Sequence, residues 1–316
     1  MRRFLVTGGA GFIGGHLVRR LLAEGHEVTA LDNLATGVRE NVPEEAAFVE
    51  GDVADADLVD GLIADGRFDA VFHVAGQASI SKSFSTPDVD LRTNVLGTLN
   101  VLSACVDAGV PRLVNASSMT AYGEPARIPT PEDEPCVPVS FYGVTKYAAE
   151  RYAQVMGDRT DVELAVTSLR MFNVYGEGQR LDNPYQGVLA IFIGNVLRGE
   201  PITIHGDGEQ TRDFVYVADV VDAWLHVLDL PATHGAVLNV GSGRETSVQQ
   251  LADAVLAALG ESRTTREIRS APAQLGDQRR SAADVRALEA LGWSPTFSFE
   301  DGIARTVDWA RAAAGV

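Results

Sequence analysis

A short apolar run near the N-terminus ends in a glycine-rich turn, and this junction constrains the fold more than any other part of the sequence. Phe4 to Val6 are typical of a buried strand, and the segment GGAGFIG follows at Gly8 to Gly14. Apolar residues then recur at four-residue spacing as far as Leu21, which predicts an amphipathic helix that ends at Gly25. A strand, a glycine turn and a helix in this order are typical of the start of a βαβ unit.

Strand-like and helix-like segments alternate over most of the chain. This alternation predicts a parallel α/β sheet covered by helices. A later helix is predicted from Ser247 to Gly260, because Ser247 and Gln250 have the spacing of a capping box. The predicted strands span Phe4 to Val6, Glu27 to Leu31, Ala47 to Val49, Ala70 to Val74, Arg112 to Asn115, Val162 to Leu169 and Val237 to Val240.

The charge of the chain limits its partners. A formal net charge of -17 without any Lys/Arg block argues against nucleic acid, so an anionic ligand needs a local positive site. No apolar run approaches the roughly 20 residues of a membrane span, and Thr7 interrupts the only run that resembles an export signal. We therefore expect a cytoplasmic protein without membrane contact.

The cysteines and histidines point to no metal site. Cys105 and Cys136 are expected to be buried apolar thiols, and they show no metal-ligand spacing with the six histidines. His73 is expected to be a packed strand residue. Lys82 is expected to be a solvated loop residue, and contact with the substrate diphosphate is its alternative.

The glycine turn predicts a dinucleotide site, although a glycine pattern alone also occurs in ordinary turns. Glycine lets the backbone approach a pyrophosphate, which then faces the N-terminus of the helix. Asp32 follows the second predicted strand, where its carboxylate can bind ribose hydroxyls and repel a 2′-phosphate, so NAD is favoured over NADP. The alternative for Asp32 is a turn-capping role before Asn33. Asp52, after the third strand, is a candidate contact for the adenine edge.

Tyr142 and Lys146 are four residues apart, so on a helix their side chains share one face. A free Tyr titrates near 10, and a nearby ammonium and a positive nicotinamide ring would favour its phenolate. Tyr142 is therefore a candidate general base. The alternative is an ordinary pair on a helix surface, but the pair follows a predicted strand that leads to Ser118.

These motifs resemble the extended short-chain dehydrogenase/reductase family, and within it the nucleotide-sugar epimerase/dehydratase group. The resemblance covers nearly the whole chain. It includes the glycine turn, the Tyr142/Lys146 pair and the segments NVLGT (94–98), SSMTAYG (117–123), FNVYG (172–176) and GDGEQTRDF (206–214).

The resemblance implies roles for individual residues. Ser118 would bind the sugar 4-hydroxyl, Tyr142 would remove its proton, and Lys146 would hold the nicotinamide ribose and tune Tyr142. The predicted catalytic set is Ser118, Thr120, Tyr142 and Lys146. The predicted NAD contacts are Gly8, Gly11, Phe12, Ile13, Gly14, Asp32, Asn33, Asp52, Val53, Asn94, Tyr142 and Lys146. The predicted substrate contacts are Ser118, Asn173, Arg180, Val188, Arg212, Asp277 and Ser281.

Asn173 and Arg212 would contact the nucleotide diphosphate, since an Arg fork suits phosphate. The alternative for Arg212 is a salt bridge to Asp213 or Asp219.

Relatives that eliminate water from the oxidised sugar have an acidic pair after the Ser/Thr, and decarboxylases have Glu two places on. Met119 and Thr120 stand there and neither shuttles a proton at neutral pH.

The sequence therefore predicts a C4 epimerase acting on a UDP-hexose, such as UDP-glucose/UDP-galactose or UDP-glucuronate/UDP-galacturonate. A 4,6-dehydratase, a 4-reductase and a non-catalytic NAD-sensing protein are the alternatives.

The substrate segment departs from the family pattern at Gln274, where relatives have an Arg that contacts the diphosphate. Either Arg279 or Arg280 compensates, or phosphate binding depends more on Arg212. Ser281 leaves space for a bulky hexose. Arg180 has the spacing of an Arg that pairs with a C6 carboxylate in UDP-glucuronate 4-epimerases, and a solvated surface role is its alternative.

We expect two parts in the chain. Residues 1–174, with about 236–260, would form the Rossmann-type doubly wound NAD-binding domain. Residues 175–235 and 261–316 would form a smaller nucleotide-sugar-binding lobe. The resemblance also implies a homodimer that packs helices over roughly 91–108 and 142–156.

Overall fold

A seven-stranded sheet organises the chain. The computed structural model describes residues 1–181, 187–273 and 278–315. Its strands are β1 (Arg3–Thr7), β2 (Glu27–Asp32), β3 (Ala47–Glu50), β4 (Ala70–His73), β5 (Arg112–Ser118), β6 (Ala165–Met171), β7 (Asn173–Tyr175), β8 (Ile202–His205), β9 (Thr211–Arg212), β10 (Phe214–Tyr216), β11 (Val237–Val240), β12 (Thr246–Ser247) and β13 (Ile268–Ala271).

Helices follow most strands. They are α1 (Phe12–Ala23), α2 (Ala56–Gly66), α3 (Ile80–Ser85), α4 (Pro87–Asp90), α5 (Gly97–Asp107), α6 (Phe141–Gly157), α7 (Val188–Leu197), α8 (Val217–Leu228), α9 (Val248–Ala258), α10 (Arg286–Glu289) and α11 (Phe299–Ala314). Leu91–Leu96 form a π-helical turn before α5, and short 3₁₀ turns span Arg39–Asn41, Met119–Ala121 and Pro231–Thr233.

The main sheet has the strand order β11-β6-β5-β4-β1-β2-β3. β1 runs parallel to both of its neighbours, with Phe4 opposite Val28 on β2 and Ala70 on β4. This is the doubly wound arrangement, in which ligands bind beyond the carboxyl ends of the strands. The strands predicted from sequence are the strands of this sheet, so the predicted fold class is confirmed.

Local signals set the ends of two helices as predicted. α1 buries Leu17 and Leu21 and is followed by Gly25, whose φ of 81° suits glycine. At the start of α9, Ser247 and Gln250 form a complete capping box.

The chain divides into two compact units. The first unit contains residues 1–123, 136–170 and 221–238, and the second contains 124–135 with the described residues of 171–220 and 239–316. The first unit therefore includes 221–235, which the sequence placed in the smaller lobe. Trp224 packs against Phe72 of β4, and Arg112 donates to the carbonyl oxygens of Val227 and Leu228.

The second unit also differs from the predicted lobe. It includes 124–135 and 239–260, because α9 packs against α7 and α11. Its interior holds an aromatic cluster in which the Tyr175 ring lies 6.3 Å from Phe214 and 5.9 Å from Phe299. The second unit thus has its own apolar core.

The two cysteines differ in exposure. Cys105 is buried in the core of the first unit, as expected, and burial raises the pKa of its thiol. The same expectation is wrong for Cys136, which is partly exposed because it lies in the irregular segment before α6. Among the described helices, none is both long and apolar enough to cross a membrane.

Candidate active site

The glycine turn lies at the carboxyl end of β1 and requires glycine at two positions. Gly8 has a φ of 69°, and its N–H donates to the Leu31 carbonyl oxygen over 2.7 Å. A Cβ on Gly8 would lie 2.8 Å from the Ala75 nitrogen, and one on Gly14 would lie 2.0 Å from the Gly8 oxygen. Only glycine lets the turn pack this closely against the start of the helix.

The N-terminus of α1 is open to a ligand. The helix begins at Phe12, and in the described part of the chain no side chain caps it at Gly11. The first-turn N–H groups, which include those of Ile13 and Gly14, have no intrahelical acceptor and can bind an anion. The turn and the helix end therefore fit a dinucleotide pyrophosphate.

Asp32 ends β2 beside this turn. Its carboxylate accepts from the Ala10 N–H over 3.0 Å and from the Leu34 N–H over 2.8 Å, so the turn-capping contact is present. Burial raises the pKa of Asp32, and the backbone bonds oppose that rise. The contact of this carboxylate with a ribose of NAD stays a prediction.

The neighbouring strand end supplies the other predicted adenine-side residues. The Asn33 side chain donates to Asp52 over 2.9 Å, which links the ends of β2 and β3. Val53 is buried in the core of the first unit. Asp52 is partly exposed and remains a candidate ligand contact.

Ser118, Thr120 and Tyr142 form a chain of hydrogen bonds. Ser118 ends β5, and its Oγ accepts from the Thr120 hydroxyl over 2.9 Å and from the Thr120 N–H over 3.3 Å. Ser118 is also hydrogen-bonded to Tyr142, which lies in the first turn of α6. Because Thr120 occupies the acceptor positions of Ser118, the Ser118 proton is directed to the Tyr142 oxygen.

Burial dominates the titration of the reacting groups. It raises the pKa of Tyr142, the Ser118 bond lowers it, and the Asp90 charge raises it. In the protein alone, desolvation and the Asp90 charge outweigh the Ser118 bond, and the expectation that the Lys146 ammonium and a positive nicotinamide ring favour the phenolate stays a prediction. Burial also lowers the pKa of Lys146 to about 8, although Glu150 opposes this change.

Asn94 fixes the loop after β4 beside Lys146. The Asn94 side chain accepts from the Gln77 N–H over 2.9 Å and donates to the Thr145 hydroxyl over 3.1 Å. A Cβ on Gly76 would lie 3.1 Å from Asn94 Oδ1 and 3.7 Å from Lys146 Nζ. Asn94 therefore shapes this side of the site through the backbone, and a direct NAD contact stays a prediction.

His73 is a packed residue, as expected, and its partners determine its tautomer. The Thr98 hydroxyl donates to the Asn94 carbonyl over 2.6 Å, so it can only accept from His73 Nε2 at 3.0 Å. His73 Nδ1 then accepts from the Thr7 hydroxyl over 2.8 Å. Burial, followed by the Lys146 charge, lowers the pKa of His73 to about 3, so the ring is neutral.

The second unit holds the residues predicted for the diphosphate. Asn173 begins β7, and among the described residues its buried Oδ1 has no hydrogen-bond partner. Arg212 is buried, and its Nη1 donates to the carbonyl oxygens of Thr211 and Gln278 over 2.6 and 2.8 Å. An unpaired acceptor and a buried guanidinium suit a polar ligand.

The carboxylates considered as partners of Arg212 have other contacts. Asp213 accepts from the backbone N–H groups of Ser242, Gly243 and Ala283, and burial raises its pKa against these bonds. Asp219 accepts from the backbone of 296 and 297.

The other predicted substrate residues are only partly placed. Ser281 is buried, and its N–H donates to Thr211 Oγ1 over 3.4 Å. Arg180 is exposed and Val188 is half-buried at the start of α7. Asp277 and Gln274 lie outside the described residues.

The two arginines proposed to compensate for Gln274 both pair with carboxylates. Arg279 pairs with Asp207 over 2.7 Å, and Arg280 pairs with Glu245 over 2.6 Å. A contact of either one with a diphosphate would require it to leave or share this pairing.

Three residues near the reacting centre were missed by the sequence reasoning. Glu150, Arg170 and Ser117 are buried beside Ser118, and Glu150 is bonded to both of the others. Glu150 could have been found, because it follows Lys146 at the same four-residue spacing that joins Lys146 to Tyr142. Its partners on other strands carry no local signal.

The fold and this arrangement define a class of α/β enzymes that use a dinucleotide cofactor. Residues 4–241 match the model of the NAD dependent epimerase/dehydratase family. The chain belongs to that family, which confirms the predicted resemblance. NAD is the cofactor in the family's description, so the cofactor prediction is confirmed as well.

Similar proteins cover nearly the whole chain. A UDP-glucose 4-epimerase of Mycolicibacterium smegmatis is 42% identical over 98% of both chains. The structure of a UDP-glucose 4-epimerase from Thermotoga maritima with UDP-glucose has a TM-score of 0.94 at 38% identity and covers 99% of both chains. The structure of a Thermus thermophilus UDP-glucose 4-epimerase with NAD has a TM-score of 0.91 at 40% identity, over 98% of this chain and 99% of the other.

Proposed function

We propose that this protein is an NAD-dependent epimerase that inverts C4 of a UDP-hexose through a transient 4-keto sugar. The hydrogen-bonded Ser118–Tyr142 pair, flanked by Met119 and Thr120, carries the proposal. This centre can move one proton at the sugar hydroxyl, while neither flanking side chain can catalyse loss of water. The epimerases similar over the whole chain support the same reaction.

Each residue of the centre has a defined task in this proposal. Ser118 holds the 4-hydroxyl oxygen, and the Tyr142 oxygen takes its proton and later returns it. The bound NAD supplies the acceptor and donor of the C4 hydride. The Lys146 ammonium stabilises the Tyr142 phenolate as it forms, since a nearby positive charge favours the ionised tyrosine. Thr120 orients the Ser118 proton toward Tyr142.

The contacts with the nucleotide and the sugar are also proposals. Gly8, Gly11, Phe12, Ile13 and Gly14 would bind the pyrophosphate of NAD. Asn173 and Arg212 would bind the UDP diphosphate, because an amide N–H2 and a buried guanidinium can both donate to phosphate oxygens. Arg180 would distinguish UDP-glucuronate from neutral hexoses.

Direct observation of the products tests the function. The purified protein is incubated with UDP-glucose, UDP-galactose, UDP-N-acetylglucosamine or UDP-glucuronate, and C4 inversion is followed by NMR. We expect inversion of at least one of these sugars without added NAD, because the returned hydride regenerates the cofactor. A 4-keto-6-deoxy product or carbon dioxide, with no C4 epimer, would overturn the proposal.

We further propose that the protein is a homodimer, and a cytoplasmic location stays a prediction. An exposed apolar surface supports the dimer. It is formed by Val144, Tyr152 and Val155 on α6 and by Leu91 and Leu96 on the π-helical turn, all more than two-fifths exposed. The two elements lie next to each other, and exposed apolar side chains grouped in this way are typical of interaction sites.

Sedimentation can test the dimer. Wild type should sediment at twice the 33.7 kDa of the chain, and V144E/V155E should sediment as a monomer. A monomeric wild type would exclude the dimer.

A further inference from the structure

A buried ion pair lies one helical turn beyond Lys146 and has no task in the proton transfer described above. The Glu150 and Arg170 side chains are 0% and 6% exposed, and they are joined by bonds of 2.6 and 2.8 Å. Burial lowers the pKa of Arg170, but the Glu150 carboxylate outweighs it, so the net change is upward. The Arg170 guanidinium therefore stays charged inside the protein.

Glu150 connects this pair to the reacting centre along α6. Tyr142, Lys146 and Glu150 follow one another at four-residue spacing, so their side chains share one helix face. Ser117 donates to Glu150 Oε2 over 2.6 Å, and its chain neighbour Ser118 is bonded to Tyr142. The end of β5 is therefore bonded to α6 at two points, two helical turns apart.

Arg170 closes the arrangement from β6. Its guanidinium carbon lies 4.6 Å from the centre of the Tyr122 ring, and its side chain is hydrogen-bonded to Tyr122. Tyr122 directly follows the 3₁₀ turn that carries Thr120, the donor to Ser118. The ion pair thus contacts the strand, the helix and the residue after the turn that together hold the reacting groups.

Stability alone gives a weak reason for such a pair. Removing two charges from water is costly, and apolar residues of similar volume often replace a buried ion pair without loss of stability. We propose that Ser117, Glu150 and Arg170 form a positioning unit that holds Ser118, Tyr142 and Lys146 in the geometry needed for proton transfer. This inference rests on the epimerase activity proposed above.

The decisive variant removes the charges and keeps the volume. E150L/R170M should retain a Tm within about 5 °C of wild type. Its kcat for C4 inversion should fall by about 10²-fold, as expected when reacting groups are displaced by about 1 Å. The KM for the UDP-hexose and the amount of NAD bound should stay close to wild type, because none of the three residues is a predicted ligand contact. A purely structural role would leave kcat unchanged once Tm is retained.

Two single variants decide the question if the double variant does not fold. S117A removes one bond and leaves both charges, and R170K keeps the charge but loses the two-pronged contact. Each should lower kcat at nearly unchanged Tm, by less than the double variant does. The exposed pair Arg159–Asp161 provides a matched control, since R159A/D161A removes an ion pair 42% and 69% exposed and should change neither quantity.

The outcomes separate this inference from the proposed function. The positioning unit is overturned if E150L/R170M folds and keeps the wild-type kcat. If the double variant is unfolded, wild-type kcat in both S117A and R170K overturns it. A wild-type protein that inverts none of the UDP-hexoses overturns the proposed function instead.

Discussion

Replacing Lys146 by methionine should make this protein more stable and less active. Lys146 is 5% exposed, and burial lowers its pKa from 10.5 to about 8. Each unit of pKa difference corresponds to about 1.4 kcal/mol, so burial of the charged Lys146 destabilises the folded protein by about 3 kcal/mol at pH 7. For 316 residues, an unfolding entropy of about 2.1 cal/mol/K per residue converts this energy to about 5 °C in Tm.

The pH dependence of the stability gained by K146M follows from the direction of the Lys146 pKa change. Below pH 8 the lysine is charged in both states, so the full cost of burying it is present. Between pH 8 and 10.5 the unfolded chain holds a proton that the folded protein has released, so wild-type stability relative to K146M rises with pH. The stability advantage of K146M should therefore shrink across this interval.

Thermal unfolding of the NAD-free proteins between pH 7 and 10.5 measures this effect, and the NMR assay measures activity. K146M should lose at least about 10²-fold in kcat, because Tyr142 loses the charge that stabilises its phenolate. Lys82, the other lysine in the sequence, is half-buried on α3, and K82M should change stability by only about 0.5 kcal/mol. A Tm for K146M at or below wild type at pH 7, or an advantage that does not shrink between pH 8 and 10.5, would refute the reasoning.

Three further predictions concern the proton, the cofactor and the sugar. Y142F should lower kcat by about 10² to 10⁴-fold with little change in substrate KM, and steady-state kinetics with full activity would exclude Tyr142 as the base. G14A should abolish NAD binding measured by calorimetry, because its Cβ would lie 2.0 Å from the Gly8 oxygen, whereas G61A, at an open helical position, should bind NAD normally. R180A should reduce kcat/KM for UDP-glucuronate by at least about tenfold more than for UDP-glucose, and equal losses would remove Arg180 from carboxylate recognition.

Part of the site is predictable from the sequence alone, because its signals are local. The turn from Gly8 to Gly14 has its strand and helix within a few residues on either side. The shared face of Tyr142 and Lys146 follows from helical spacing alone. Segments of this kind predicted the seven strands, the end of α1 and the cofactor.

Other features depend on which strands become neighbours, and that is decided by the tertiary structure. Glu150 meets Arg170 and Ser117 because β5 and β6 lie side by side in the sheet, and nothing in the sequence next to Arg170 indicates this contact. The observed division of the chain differs from the predicted one for the same reason, since Trp224 joins the first unit through its packing on Phe72.

The charge states of the reacting groups also required the structure. From the sequence, Lys146 was expected to favour the Tyr142 phenolate, and only the structure shows that burial raises the Tyr142 pKa and lowers that of Lys146. Desolvation depends on every atom packed around a group, most of them distant in sequence. The sequence by itself thus determined which residues are candidates for the site and how they are spaced along each element, and the tertiary structure decided their partners and their protonation.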